Sequence, residues 1–315
     1  MENVNSKYIN DVKDRYLPLP RSVVEEYEHE PNMADFETIK KLGYGSFGKI
    51  YLVMHKKTKA KYALKIINKS EEISEEQKKY CKKEVEILYK CNHPNIVKLY
   101  GHFEDQNSLY YVMEYFPNGS AYDLIPKNGK RQENVELIAS VMKDIINAIY
   151  YLHNMNPKIM HRDIKPENIL LDENKKAHLI DFGWSNYLIN NRKRNTICGT
   201  PLYSPPEMIT NKGHDEKIDI WCIGVLLFEL LTGDVPFDGN DEETVKRNIV
   251  QLNITWPTYA PPDAKDLILK ILKIEPNERP SIETIITHNF FKKYFTNAIN
   301  ELIKPDKNKS KIFVI

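Results

Sequence analysis

From Phe36 to Ile67, short runs of β-branched and aromatic residues alternate with polar breaks: FETIKKL, KIYLVM and KYALKII, separated by GYGS and HKKTKA. Runs of this length and spacing predict an antiparallel meander. A helix should follow. Ser74 and Gln77 have capping-box spacing, and Glu84 and Leu88 share one helical face. Two more strand-like runs, NIVKLYGHF and SLYYVMEYF, come next. Beyond Pro117-Asn118-Gly119 the period changes: Leu137, Val141, Ile145, Ile149 and Leu152 recur at helical spacing. The stretch Ile220 to Leu231 is apolar all round, as a buried central helix is. The pattern predicts an α+β protein of two lobes with a cleft between them. A small β-rich N-lobe with one main helix spans 36–116, and a larger, mostly helical C-lobe spans 117–291. Residues 1–35, polar and proline-punctuated, read as a flexible extension. Residues 292–315 read as a C-terminal tail with a frayed basic end.

Composition narrows the class. Of 315 residues, 41% are hydrophobic and 28% charged, which excludes wholesale disorder. The charges nearly cancel at +1, so neither nucleic acid nor an anionic membrane is an expected direct partner. The longest apolar run, Ile218 to Leu231, is too short to cross a bilayer and contains Asp219 and Glu229. The N-terminus lacks the apolar core of a signal peptide. Cys81, Cys91, Cys198 and Cys222 show no metal-ligand spacing, so reduced thiols are expected. Only eight of the 45 basic residues are Arg. Where Lys is the default, an Arg marks a place that needs a planar, bidentate fork.

The first chemical motif is Gly43-Tyr44-Gly45-Ser46-Phe47-Gly48. In a dinucleotide-binding fold such a glycine run opens a helix. Here it is followed by the strand-like KIYLVM, which excludes a nicotinamide enzyme. Lys65 then falls inside the apolar run YALKII, and a buried lone ammonium is costly. Glu84, 19 residues on and on the face of Leu88, is its expected partner, whereas Glu86 lies round the helix. An ordinary tight hairpin would leave Lys65 unexplained.

The second motif is His161-Arg162-Asp163-Ile164-Lys165-Pro166-Glu167-Asn168 with Asp181-Phe182-Gly183. Phosphoryl transfer needs a carboxylate to orient the attacking hydroxyl, ligands for Mg2+, and cations for the charge on the transferring group. Asp163, then Asn168 with Asp181, then Lys65 with Lys165 fill those needs in order. A charged loop followed by a turn does not account for so many agreeing positions.

On these residues the chain resembles the eukaryotic protein kinases from about Phe36 to Phe291. Lys165, with Thr200 downstream, is similar to the serine/threonine branch. Within it, Asp181-Phe182-Gly183-Trp184-Ser185, Pro205-Pro206-Glu207-Met208, Gly213-His214-Asp215-Glu216-Lys217 and His93-Pro94-Asn95-Ile96 resemble the Aurora kinases. The Gly199-Thr200-Pro201-Leu202-Tyr203 stretch departs from the Aurora pattern and favours a neighbouring family of arginine-directed kinases. Trp184 and Pro205-Pro206 oppose that alternative. A catalytically dead scaffold is opposed by the presence of Lys65, Glu84, Asp163, Asn168 and Asp181 together.

The resemblance implies ATP and Mg2+ as cofactors, with Asn168 and Asp181 as the metal ligands and Lys65, Glu84, Asp163 and Lys165 as the catalytic set. It implies that Leu42, the loop Gly43, Tyr44, Gly45, Ser46, Phe47 and Gly48, and Lys49 and Ile50 contact the nucleotide. Ala63, Met113, Glu114, Phe116 and Leu170 would surround the base, with Met113 as gatekeeper, and Glu167 would join the phosphate side. Leu88, Leu99, His161 and Phe182 would form an apolar spine, Glu207 would pair with Arg279, and Asp219 would accept backbone N–H groups of the catalytic loop. Thr196 would be the activating phosphosite, docking on Arg162, Arg194 and Lys83, the last standing where Auroras carry arginine. Glu167 and Glu229, with Thr200, would bind protein substrates bearing Arg two residues before Ser or Thr. The implied protein is a monomeric catalytic subunit with a coactivator on its N-lobe. It would reside in cytoplasm or nucleus, at spindle, centrosome or centromere in mitosis.

Overall fold

The alternating runs at the start of the chain form a five-stranded antiparallel sheet. Its strands are β1 (Phe36–Gly45), β2 (Gly48–His55), β3 (Lys61–Asn68), β4 (Leu99–Glu104) and β5 (Ser108–Met113), in the order β1-β2-β3-β5-β4. The computed structural model describes residues 32–69, 74–127, 132–188 and 201–305. Two compact units divide the chain. One holds the described residues up to Cys91 with Val97–Tyr115; the other holds Asn92–Ile96 and the described residues from Phe116 onward.

In the first unit β1 runs further than its apolar pattern suggests, through Gly43 to Gly45. Gly45 pairs with Gly48, so the reversal is confined to Ser46 and Phe47. Gly48 is sterically obligatory: a Cβ there would lie 2.4 Å from the Ile66 carbonyl oxygen of β3. One face of the sheet packs Phe36, Val53, Tyr62, Leu64, Phe103, Tyr110 and Val112 together. Period-two alternation places Ala63 and Lys65 on the opposite face. Helix α1 (Glu75–Lys90) begins at the expected capping box: Gln77 N–H donates to Ser74 Oγ at 3.2 Å, and Ser74 N–H to Gln77 Oε1 at 2.9 Å. Its buried residues are Cys81, Glu84, Ile87 and Leu88.

The run NIVKLYGHF is not one strand. Only Leu99–Glu104 joins the sheet; Asn95 Nδ2–H donates to the Ala177 carbonyl at 2.9 Å, and Leu179 N–H to the Asn95 carbonyl at 2.9 Å. Strand β5 likewise ends at Met113, and the Phe116 ring lies 4.2 Å from His178 in the second unit. The first unit accordingly lacks Asn92–Ile96 and runs to Tyr115.

The second unit is built on α2 (Val135–His153) and α4 (Lys217–Thr232), with a short α3 (Pro206–Ile209) before α4. Helix α4 is buried along almost its whole length, and Gly224 explains its close seating: a Cβ would meet Ile271 and Leu272 within 2.9 Å. Ile271 ends α6 (Pro262–Ile271), which follows α5 (Glu242–Gln251); α7 (Ile282–Ile286) and α8 (Asn289–Lys292) close the domain. Short strands β6 (Lys158–Met160) and β9 (Asn186–Leu188) pair, as do β7 (Ile169–Leu171) and β8 (Ala177–Leu179).

Neither end is wholly free. A turn at Met33–Asp35, capped by Asn32, packs Met33 against the sheet core. After Lys292 the chain returns to α2: Lys143 Nζ meets Glu301 at 2.6 Å, and Ile303 N–H donates to Asn147 Oδ1 at 2.9 Å. Among the described residues no helix is long and apolar enough to cross a membrane.

Candidate active site

The expected site residues fall into two groups, one in each unit. In the first, Lys65 is 2% and Glu84 1% exposed, and Lys65 Nζ donates to both carboxylate oxygens of Glu84, at 2.7 and 2.9 Å. Glu86 instead meets Lys90 on the outer face, as the helical pattern requires. Ile50 sits opposite Lys65 across the β2–β3 ladder, and Ala63 opposite Met113 across β3–β5. Leu42 through Lys49 form the β1–β2 hairpin, with Leu42 and Tyr44 exposed. Glu114 follows β5, its N–H donating to the Lys98 carbonyl at 2.9 Å. Lys83 is half-buried on α1.

In the second unit, β6 delivers the chain into His161-Arg162-Asp163, and α4 holds it there. Asp219, fully buried, accepts the His161 N–H at Oδ2 and the Arg162 N–H at Oδ1, both at 2.9 Å, and the His153 Nε2–H at 2.8 Å. Burial alone would raise its pKa. The His153 hydrogen bond and charge, the Arg162 N–H and the nearby His161 outweigh that and hold it below the usual carboxylate range. These bonds fix Arg162 at φ 71°, a left-handed conformation that costs a non-glycine residue roughly 1–2 kcal/mol. Asp181, at φ 57°, is held the same way round, with Gly183 N–H donating to its Oδ1 at 3.2 Å. Such conformations persist where surrounding bonds over-determine them, and they cluster at functional sites.

Asp163 is the centre of this group. Its Oδ2 accepts Asn168 Nδ2–H at 2.7 Å and Lys165 Nζ at 3.0 Å, while Asn168 Nδ2 also reaches the Asp163 carbonyl at 2.9 Å. The Asn168 amide therefore keeps its Oδ1 for other work. Glu167 and Asn168 lie in a single turn, Pro166–Asn168, that leads into β7 and Leu170. His161 donates from Nε2 to the Ile180 carbonyl at 3.1 Å and meets the Phe182 ring edge-on at 4.8 Å. Burial pushes its imidazole pKa down, against the pull of three nearby carboxylates. Leu88 and Leu99 are buried in the first unit.

Around the loop, Arg162 Nε–H donates to the Trp184 carbonyl at 2.7 Å, and Ser185 Oγ–H to the His161 carbonyl at 3.2 Å. The buried Nη1 and Nη2 of Arg162 have no hydrogen-bond partner among the described residues. A guanidinium in that state is a ready anion acceptor site. Glu207 and Arg279 form a buried bidentate pair, Nη1 to Oε1 at 2.7 Å and Nη2 to Oε2 at 2.6 Å. Glu229 on α4 is half-buried and accepts the Tyr203 hydroxyl. Burial raises its pKa; the Tyr203 bond opposes this, and the charges of Glu167 and Asp234 add to it. Thr196, Arg194 and Thr200 lie outside the described residues. Among the described residues no cluster of three His, Cys, Asp or Glu side chains could hold a metal by itself.

Tyr203 and His153 are contributors that the sequence does not disclose. Each acts on a carboxylate 26 or 66 residues away, and neither carries a local spacing that would mark it.

Residues 36–291 match the protein kinase domain family. The chain is 43% identical over 257 residues to an Aurora kinase of Saccharomyces cerevisiae, covering 82% of this chain and 69% of that protein. It is 37% identical over 294 residues to an Aurora kinase of Schizosaccharomyces pombe, covering 92% and 81%. With Aurora kinase B of Mus musculus the identity is 39% over 254 residues, covering 81% and 72%.

Proposed function

Given that the chain belongs to the Aurora family of serine/threonine protein kinases, we propose that it transfers the γ-phosphoryl group of Mg-ATP to Ser or Thr placed two residues after an arginine. The observation that carries the proposal is the Asp163 constellation: a carboxylate held by Lys165 and Asn168 on a loop that Asp219 locks.

Asp163 orients the substrate hydroxyl and takes its proton as the oxygen–phosphorus bond forms; the bond to the bridging oxygen breaks, and ADP leaves. Lys65, fixed by Glu84, binds the α and β phosphates, and Lys165 balances charge on the transferring group. The β1–β2 hairpin covers the phosphates, seated closely on β3 at Gly48. Met113, Glu114 and Phe116 meet the base, with Ile50, Ala63 and Leu170 around it. Asn168 Oδ1 and the Asp181 carboxylate suit Mg2+, a hard ion held through one or two protein oxygens plus substrate phosphates. When bound, the ion neutralises charge between phosphate oxygens.

Glu167 and Glu229 bind the substrate arginine, aided by Thr200. The charge of Glu167 is felt at Glu229, and a cation shared by the two would relieve that repulsion. Phosphate on Thr196 docks on the free Arg162 nitrogens with Arg194 and Lys83. A coactivator on the N-terminal unit, mitotic work and location at spindle, centrosome or centromere complete the proposal, supported by the family.

The test is transfer from Mg-ATP to a peptide library varied around one Ser or Thr. Selection of Arg at the second upstream position, lost in Glu229→Ala, is expected. A library showing no basic preference overturns the substrate assignment.

A further inference from the structure

The first turn of α1 is largely exposed. Glu75, Glu76, Lys78 and Lys79 are exposed and Gln77 is half-buried, so the capped end projects into solvent. Contact with the sheet begins at the next two residues. The carbonyl of Cys81 accepts the Tyr111 hydroxyl at 3.1 Å, and Tyr111 is the ladder partner of Lys65. The Tyr80 ring stacks on Phe47, with centroids 6.1 Å apart and planes 14° from parallel. Phe47 is one of the two residues that make the reversal of the glycine hairpin. Tyr80 also stands one helical turn before Glu84, so the two side chains lie on neighbouring positions of one face.

We infer that Tyr80 is a positioning residue: its stack on Phe47 ties the glycine hairpin to the helix that carries Glu84, so that the phosphate-covering loop and the Lys65–Glu84 pair move as one piece. The inference rests on the assignment of that hairpin to nucleotide binding. The glycines flanking the reversal carry no side chains that could brace the tip of the hairpin. A stacked aromatic pair is the natural restraint, and its contribution corresponds to a few-fold to about tenfold in an equilibrium constant. The restraint proposed is the ring stack, which Phe at position 80 would keep.

The experiment measures Mg-ATP binding by calorimetry and KM for ATP in the wild type, Tyr80→Ala, Tyr80→Phe, Phe47→Ala and the Phe47→Ala/Tyr80→Ala double variant. Thermal unfolding is measured on each preparation. Hydrogen exchange of the segment 43–48 is followed in the nucleotide-free protein. The expected result for Tyr80→Ala is a threefold to tenfold rise in dissociation constant and KM for ATP, with faster exchange in 43–48. Tyr80→Phe should match the wild type, and the double variant should be no worse than Phe47→Ala alone, because the two rings contribute one shared interaction. Unchanged affinity and exchange in folded Tyr80→Ala overturns the inference, as does tighter binding or full additivity of the two losses. Failure of the wild type itself to bind Mg-ATP overturns instead the assignment of the hairpin.

Discussion

Replacing Lys65 by Met does two separate things. It removes the cation that holds the α and β phosphates, for which a loss of transfer of at least about 100-fold is expected. It also breaks the buried ion pair with Glu84, which is 1% exposed. An unpaired buried charge costs about 3–5 kcal/mol, so Lys65→Met should melt well below the wild type, and Lys65→Met/Glu84→Gln should regain much of that loss without regaining activity. Turnover and thermal unfolding on the same preparations check both parts; near-normal turnover in Lys65→Met removes the lysine from the mechanism. Glu229 offers a pH test. Its raised pKa means that it gains a proton at higher pH than an exposed glutamate does, and only the anion pairs with arginine. As pH falls, KM for an Arg-bearing peptide should begin to rise at a higher pH than an exposed glutamate would give, and KM for its Arg-free counterpart should change less. Glu229→Gln should flatten the difference. Residues such as Lys65, Asp163 and Asp181 are legible in the sequence because their spacing is set by a loop or a strand. Tyr203 and Tyr80 are not, because each finds its partner only after elements distant in the chain have packed.

At the scale of elements, the Arg279 fork joins three parts of the C-terminal unit. Besides its two bonds to Glu207 on α3, Nη1 donates to the Lys217 carbonyl at the start of α4 at 3.0 Å, and Nε to the Lys273 carbonyl after α6 at 3.0 Å. Lysine offers a point charge and cannot bridge all three. Arg279→Lys should lower stability by about 2–4 kcal/mol, read as a shift in urea midpoint at constant slope; a shift of less than about 0.5 kcal/mol contradicts the fork as an organising contact. The strong periodic elements were legible in advance: the meander, the capping box of α1, α2 and the buried α4. The errors have a common physical origin. A β-branched run such as NIVKLYGHF satisfies strand propensity from end to end, yet Asn95 and Ile96 find better partners at Ala177 and Leu179, and pairing overrides propensity. Conversely the glycines at 43 and 45 read as a break but continue β1, because a two-residue reversal needs its flanks paired.

For the whole molecule, a net charge of +1 leaves little overall field to act through, so the proposed docking of a phosphate on Arg162 would act through local charge. The segment Arg192-Lys193-Arg194-Asn195-Thr196 itself carries arginine two residues before Thr196, so the enzyme should phosphorylate itself there. Mass spectrometry should find phosphate on Thr196 in the recombinant wild type and none in Asp163→Asn, and Thr196→Ala should reduce activity strongly. A fully active, unmodified wild type contradicts that switch. Tagged protein followed through division should concentrate on spindle, centrosome or centromere, and a diffuse signal throughout contradicts the mitotic assignment. The most direct measurement is transfer of labelled γ-phosphate to an Arg-x-Ser peptide by wild type and Asp163→Asn at equal concentrations of folded protein. Both should bind Mg-ATP and melt alike, since the amide preserves the shape of the carboxylate, while transfer by Asp163→Asn falls by about 100- to 10,000-fold. Equal transfer by the two proteins would contradict Asp163 as the group that orients and deprotonates the hydroxyl, and with it the account of this site.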